Sequence, residues 1–467
     1  MEELNPTVSL KEFVLFRIMS YIVGYYVDSR LYWQLKEIKM IVSLSVTNFR
    51  SIKEEQVLNL SVENLKDIHV ENLAFSKDNK TACVKTAGIY GANASGKSNI
   101  LVAFRALQYM VSKSSTWQLD EEIMCYEPFR LDSDTKNSAC AFEIEFIGND
   151  QLQYIYRVDF SKHQINSESL YFYPGVKRAK LYTRETTSSG EYEFSAGNAL
   201  KGKKRLFPCM KNVLYLSKAA NEADAPEVIK DVYRFIRDGF SVIDQRTGFH
   251  SSVLNDDSYR EKLCLLLSCA DTGISSVRRK ERPESEYPKF EGIGSLPESV
   301  KDEINKDFKW KPVFIHHNIE EDFELQDESH GTKRLYELAP VIISFLEDGG
   351  TLIIDEIEDG MHSYISEFIV KMFNDPQLNV NNAQLIFSSH DTSLMNEDYM
   401  RRDQIWFTEK SDKGESVLYC LDEFKEVRKD TPFAKWYHQN RFDAIPRLDY
   451  NKFREQFLAM RKAKSDV

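Results

Sequence analysis

The 467 residues are enough to bury a large core and to divide into two domains, or one domain with a large insertion. With 42% hydrophobic and 29% charged residues the composition excludes long disorder, and a formal net charge of −12 excludes a generally basic nucleic-acid coat while leaving room for a local basic patch. The seven cysteines, at 83, 125, 140, 209, 264, 269 and 420, include no Cys-x-x-Cys pair, the pattern of reduced thiols in a cytoplasmic protein rather than of a disulfide or zinc framework.

The first 39 residues contain FVLFRIMSYIVGYYVDSRLYW, apolar and aromatic but broken by Arg17, Asp28 and Arg30. The uncharged run Ile18 to Val27 is too short to span a bilayer, and no small-residue cleavage site follows it. The expectation is one or two extra amphipathic helices and no membrane partner; the alternative is a functional chain that starts near Met40. From there MIVSLSVTNFRSIKEEQVLNL alternates like two half-buried strands around a turn. CVKTAGIY predicts a buried strand and SNILVAFRALQYMV an amphipathic helix, while CAFEIEFI and LQYIYRVDF, separated by Gly148-Asn149-Asp150, predict a hairpin. From about Ser161 to Lys309 the pattern is helical and charged, with basic clusters at Lys177, Arg178, Lys180 and at Lys201, Lys203, Lys204, Arg205. Comparable numbers of acidic residues make these a solvated surface, with nucleic acid left open as a partner. This stretch is expected to be an insertion, and RRKERPESEYPKFEGIGSLPESV its most linker-like piece.

Between the predicted strand and helix lies GIYGANASGKSNI. Gly91, four residues, then Gly96-Lys97-Ser98 fits the phosphate-binding loop in full. Glycines let backbone N–H groups turn inward around phosphate oxygens, Lys97 would reach the β- and γ-phosphates, and Ser98 would offer its hydroxyl to Mg²⁺. Downstream, TLIIDEIEDG is a short apolar strand ending in Asp355-Glu356. In a phosphate-loop protein such an Asp holds the Mg²⁺ shell, and a Glu directly after it can polarise the attacking water. Before that strand, Leu335, Leu338, Ala339, Ile342, Phe345 and Leu346 keep a helical period behind Ser329 and Gly331. That helix start either favours an anion or is an ordinary Ser cap. NAQLIFSSHDTSLM is another apolar strand, ending at His390, 35 residues after Asp355, which suits neighbouring strands of a parallel sheet and a sensor for the γ-phosphate.

LSVTNFRSI, GANASGKSN, SHGTKRL, LIIDEIE and SSHDTSL together resemble the ABC-type ATPase heads of chromosome-maintenance, DNA-repair and overcoming-lysogenization-defect proteins. More closely they resemble the bacterial AAA-15 or abortive-infection ATP-binding proteins of phage defence, to which ADTGI at 270–274 and RRDQIWFTEK at 401–410 also point. The likeness runs from about Met40 to Leu448. It implies an α/β P-loop head with a mixed sheet flanked by helices and a large mainly helical insertion. The expected divisions are an extension at 1–39, an N-lobe at 40–160, the insertion at 161–310 and a C-lobe at 311–467. It further implies ATP and Mg²⁺ as cofactors and a homodimer or higher homo-oligomer through an ATP sandwich. A separate nuclease or toxin would be the effector, because the 77 residues after His390 hold no spaced acidic cluster for two metals. Carried over by residue, Gly91, Asn93, Gly96, Lys97, Ser98 and Asn99 form the phosphate loop, Ser329 and Gly331 the signature, Asp355 and Glu356 the metal and base pair, and His390 the switch. The usual Mg²⁺-contacting glutamine has no clear counterpart, EPFRLDSD being a weak substitute, and EIEDGMHSY departs from the usual inter-subunit loop. The competing expectation is a DNA-repair or chromosome-maintenance ATPase acting directly on nucleic acid.

Overall fold

The computed structural model describes residues 39–465 apart from 64, 66–67, 188–190, 201–206, 245–255, 284–308, 318–320 and 447. The apolar N-terminal segment, the basic cluster at 201–205 and most of the linker-like piece lie outside the described residues.

Along the chain, β1 (Met40–Thr47) and β2 (Gln56–Asn59) pair antiparallel as expected. β3 (Leu73–Phe75) and β4 (Ala82–Val84) form a separate ribbon, and β5 (Thr86–Gly91) leads into helix α1 (Lys97–Lys113). β6 (Cys140–Ile147) and β7 (Gln153–Phe160) make the predicted hairpin. β8 (Ile165–Tyr173), β9 (Ala179–Thr186) and β10 (Tyr192–Ala196) follow, then helices α2 (Tyr215–Ala220) and α3 (Glu227–Asp238), β11 (Phe240–Ile243) and α4 (Asp257–Cys269). A three-stranded sheet of β12 (Ile274–Glu281), β13 (Trp310–His316) and β14 (Phe323–Glu324) precedes α5 (His330–Asp348), β15 (Thr351–Ile354), α6 (Ser363–Asn374) and β16 (Gln384–Ser388). The chain ends with β17 (Ile405–Lys410), β18 (Ser416–Cys420) and helices α7 (Phe433–His438) and α8 (Tyr450–Ser465).

Two sheets organise these elements into a mixed α/β fold. One is antiparallel, in the order β10-β9-β8-β7-β6-β1-β2; the other runs β11-β15-β16-β5-β17-β18, parallel except for its last pair. Alternation along the parallel strands sends Ile89, Ile353 and Ile386 to a core shared with α1 and the antiparallel sheet, and Leu352, Ile354, Leu385 and Phe387 to a second core with α5 and α6. Helix α1 turns Ile100, Phe104, Leu107 and Val111 into the first core at helical spacing, so it is clamped between the sheets. Gln384 joins them: its Oε1 accepts the Ile41 N–H at 2.7 Å and its Nε2 donates to the carbonyls of Ile41 and Val84.

The stretch expected to be a mainly helical insertion is not one among the described residues. β8, β9 and β10 continue the antiparallel sheet, and β11 is a strand of the parallel sheet, paired with β15. The alternation of β8 and β9 was masked because their inward face carries two charges, Glu168 and Arg184, which are 0% and 2% exposed.

Candidate nucleotide-binding site

β5, β15 and β16 are neighbours and parallel, so the motifs at their C-terminal ends meet at one edge, the position where open α/β sheets hold ligands. The loop after β5 is tight. Gly96, at φ +118°, starts α1 where a Cβ would strike the Ser416 side chain, and a Cβ on Gly91 would strike the Thr408 backbone. Lys97 is buried and turned onto the loop itself, its Nζ donating to the carbonyls of Gly91 (2.9 Å) and Ala92 (3.2 Å). Burial pulls its pKa down, and the charges of Asp355, Glu356 and Glu358 pull it up.

Ser98 Oγ donates to Asp355 Oδ1 at 3.1 Å, and Ser388 Oγ donates to the same oxygen at 2.5 Å. Ser388 Oγ in turn accepts the Glu356 N–H at 2.8 Å, and the Ser388 carbonyl accepts the N–H of Ile357. Glu356 has a left-handed backbone, φ +53°, a conformation a non-glycine residue keeps when its surroundings impose it. His390 lies close enough to Lys97, Asp355, Glu356 and Glu358 to feel all four charges. The structure therefore brings Lys97, Ser98, Asp355, Glu356 and His390 together. Ser98 Oγ and Asp355 Oδ1 are two hard oxygens side by side, and this donor set would suit Mg²⁺.

Asn93 is exposed, whereas Asn99 donates from Nδ2 to Ser51 Oγ at 2.6 Å. Sequence reasoning did not anticipate this brace. Ser51, in the NFRSI turn, also accepts from Ser416 Oγ at 2.7 Å, and Ser416 Oγ contacts the Ser95 carbonyl, while Ser95 and Thr408 share a hydroxyl hydrogen bond. Nothing local marks Ser416. Ser388 and Glu358 were signalled by their places in SSHD and DEIED but given no role. In EPFRLDSD, Glu127 forks the Arg50 guanidinium at 2.9 and 3.1 Å and Asp132 pairs with Lys53, so this segment props the NFRSI turn.

Ser329 caps α5, its Oγ accepting the Thr332 N–H at 3.1 Å, and it is exposed. Its helix start packs on the turn after Glu356: a Cβ on Gly331 would lie 2.6 Å from the Gly360 carbonyl, and a Cβ on Gly360 would strike the His330 ring. From the other side Glu328 Oε1 accepts from His316 Nε2 at 2.7 Å, and His316 and His317 adjoin Gly273 of the ADTGI segment. The contacts of Ser329 and Gly331 thus run to Thr332 and Gly360 rather than to Lys97 or Ser98.

Residues 87–209 and 218–396 match the family described as "AAA domain, putative AbiEii toxin, Type IV TA system" (AAA_21). The chain belongs to that family. The match takes in Lys97, Ser98, Ser329, Gly331, Asp355, Glu356 and His390, and leaves out the braces at Ser51, Thr408 and Ser416. No curated protein matches the chain. Among solved structures it is similar to the SMC head domain from Thermotoga maritima, with 13% identity, 81% of this chain and 98% of that one covered, and a TM-score of 0.37. It is also similar to the SMC head bound to the C-terminal winged-helix domain of ScpA (13%, 81% and 97%, 0.40) and to the recombination mediator RecF with ATP (14%, 83% and 99%, 0.34).

Proposed function

We propose that this chain is an ABC-type ATPase of the AAA-15 or abortive-infection kind, a cytoplasmic protein that binds and hydrolyses ATP and whose nucleotide state controls a separate effector in anti-phage defence. The observation that carries the reading is the Ser98–Asp355–Ser388–Glu356 network at the adjoining ends of β5, β15 and β16. The family's description, a putative toxin of a toxin–antitoxin system, supports a place for the chain in such a two-component system.

The chain's own residues divide the work. The loop's N–H groups and Lys97 hold the phosphates, which requires Lys97 to exchange the Gly91 and Ala92 carbonyls for phosphate oxygens. Ser98 and Asp355 would hold Mg²⁺, whose charge offsets that developing on the β- and γ-phosphates. Ser388 fixes Asp355 and the Glu356 backbone together, and Glu356 takes the proton of the attacking water. Ser329 and Gly331, with no contact to this loop, act on the ATP of a second copy.

Exchange of Glu356 for Gln tests this. Glu356→Gln keeps the side chain's size and removes its basicity, so ATP binding should persist while turnover falls by about 10²-fold or more. Turnover at the wild-type rate removes Glu356 as the base. ATP hydrolysis that rises several-fold on adding duplex DNA would shift the reading to a DNA-repair ATPase.

A further inference from the structure

Glu358 has no part in the roles assigned so far. It stands two residues beyond Glu356 in the turn after β15, and its Oε1 accepts the main-chain N–H of His390 at 2.5 Å. Its second oxygen, Oε2, is buried without a hydrogen-bond partner among the described residues. Asp391, next to the switch, is tied elsewhere: its Oδ1 accepts the N–H and hydroxyl of Ser393. The backbone of His390 is thus held from the Glu356 turn by a single carboxylate. That turn continues to Gly360, on which the Ser329–Gly331 helix start packs. One short segment therefore carries the base, fixes the switch and supports the signature.

We infer that Glu358 is a positioning residue: its bond to the His390 N–H sets the switch imidazole at the γ-phosphate and makes its placement follow that of Glu356. This rests on the ATPase reading above. A bond to a main-chain N–H is independent of the imidazole's protonation, and it needs an acceptor oxygen but no charge. A glutamine retains that oxygen; an alanine does not. Were Glu358 a second base, glutamine would fail as alanine does.

The test uses the full chain as wild type, Glu358→Ala, Glu358→Gln and Glu356→Gln, comparing steady-state ATP hydrolysis, ATP binding by titration, and amide hydrogen exchange across residues 388–392. Glu358→Ala should lower kcat by about tenfold or more with KM and ATP affinity within about twofold, because the phosphate loop is untouched. Glu358→Gln should recover most of that loss. Exchange at 388–392 should quicken in Glu358→Ala and stay near wild type in Glu358→Gln. Equal impairment of both variants, unchanged kcat in Glu358→Ala, or a parallel loss of ATP affinity would each overturn the inference. A wild-type chain that hydrolyses no ATP, or a Glu356→Gln chain as active as wild type, would strike the ATPase reading instead. The exchange comparison would then still decide whether Glu358 fixes the switch, and should Glu358→Ala fold poorly, faster exchange at 388–392 in Glu358→Gln than in wild type overturns the inference by itself.

Discussion

His390 sits at the surface end of β16, yet partial burial and then the Lys97 ammonium hold its pKa below its ordinary 6.5, against the opposing pull of Glu358, Glu356 and Asp355. The folded chain is therefore harder to protonate here than the unfolded chain. Above about pH 7 both states are neutral and the residue contributes nothing; as pH falls through 6.5 the unfolded chain takes up the proton first and stability is lost. Without nucleotide or Mg²⁺, the melting temperature of the wild type should drop further between pH 7.5 and 5.5 than that of His390→Gln. Parallel pH profiles would mean that neither burial nor Lys97 lowers the His390 pKa. The ammonium itself is the second target at this scale. Lys97→Ala removes the loop's side-chain cation and should weaken ATP binding by about 10²-fold or more, since a charged hydrogen bond to phosphate in a buried setting is among the stronger ones. Calorimetric titration reads this directly, and unchanged affinity would take the assignment of the loop with it.

Among the elements, β8, β9 and the start of α2 are joined by one buried carboxylate. Glu168 accepts the hydroxyls of Tyr156 and Tyr182 and the N–H groups of Tyr215 and Leu216, the first residues of α2, and faces Arg184 at 3.7 Å. Arg184 in turn donates to the carbonyls of Val213 and Met210, and burial beside this carboxylate pushes both tyrosine hydroxyls well above their usual pKa. Glu168→Ala would leave a buried guanidinium without its counter-charge and two helix-start N–H groups without their acceptor, costing about 3–5 kcal/mol of stability in a denaturant titration. A loss below about 1 kcal/mol would show that the network is dispensable. The same network explains what the sequence concealed. β5, β15 and β16 were legible because each is an apolar run closed by a polar motif, and the β6–β7 hairpin because Gly148-Asn149-Asp150 breaks two alternating runs. The alternation of β8 and β9 fails where Glu168 and Arg184 turn inward, so two strands passed for charged helix. β11 is four residues long and owes its place to β15, more than a hundred positions later, a pairing that no local pattern encodes. In the site, the motif residues were legible and their braces were not: Ser51 meets Ser416 across 365 positions.

For the whole molecule, the two halves of the proposed site sit apart in one chain. Lys97, Ser98, Asp355 and Glu356 share one sheet edge, while Ser329 is an exposed helix cap that rests on the turn after Glu356. If two copies sandwich ATP, the Ser329 of one acts on the phosphates held by the Lys97 of the other. Lys97→Ala and Ser329→Arg should then each be inactive as homodimers, with both sites broken. A heterodimer of the two has one site in which an intact loop meets an intact signature. With equal amounts and random pairing, half the dimers are mixed and one of their two sites works, so hydrolysis should return to about a quarter of wild type. Loss of the Ser329 cap costs about 1 kcal/mol, so thermal melting of Ser329→Arg must first show a folded chain. Recovery on mixing cannot come from either variant alone, which makes it diagnostic of a shared site. A Ser329→Arg homodimer that hydrolyses ATP at the full wild-type rate would reduce this helix start to a plain cap, and the two-copy arrangement would fall with it.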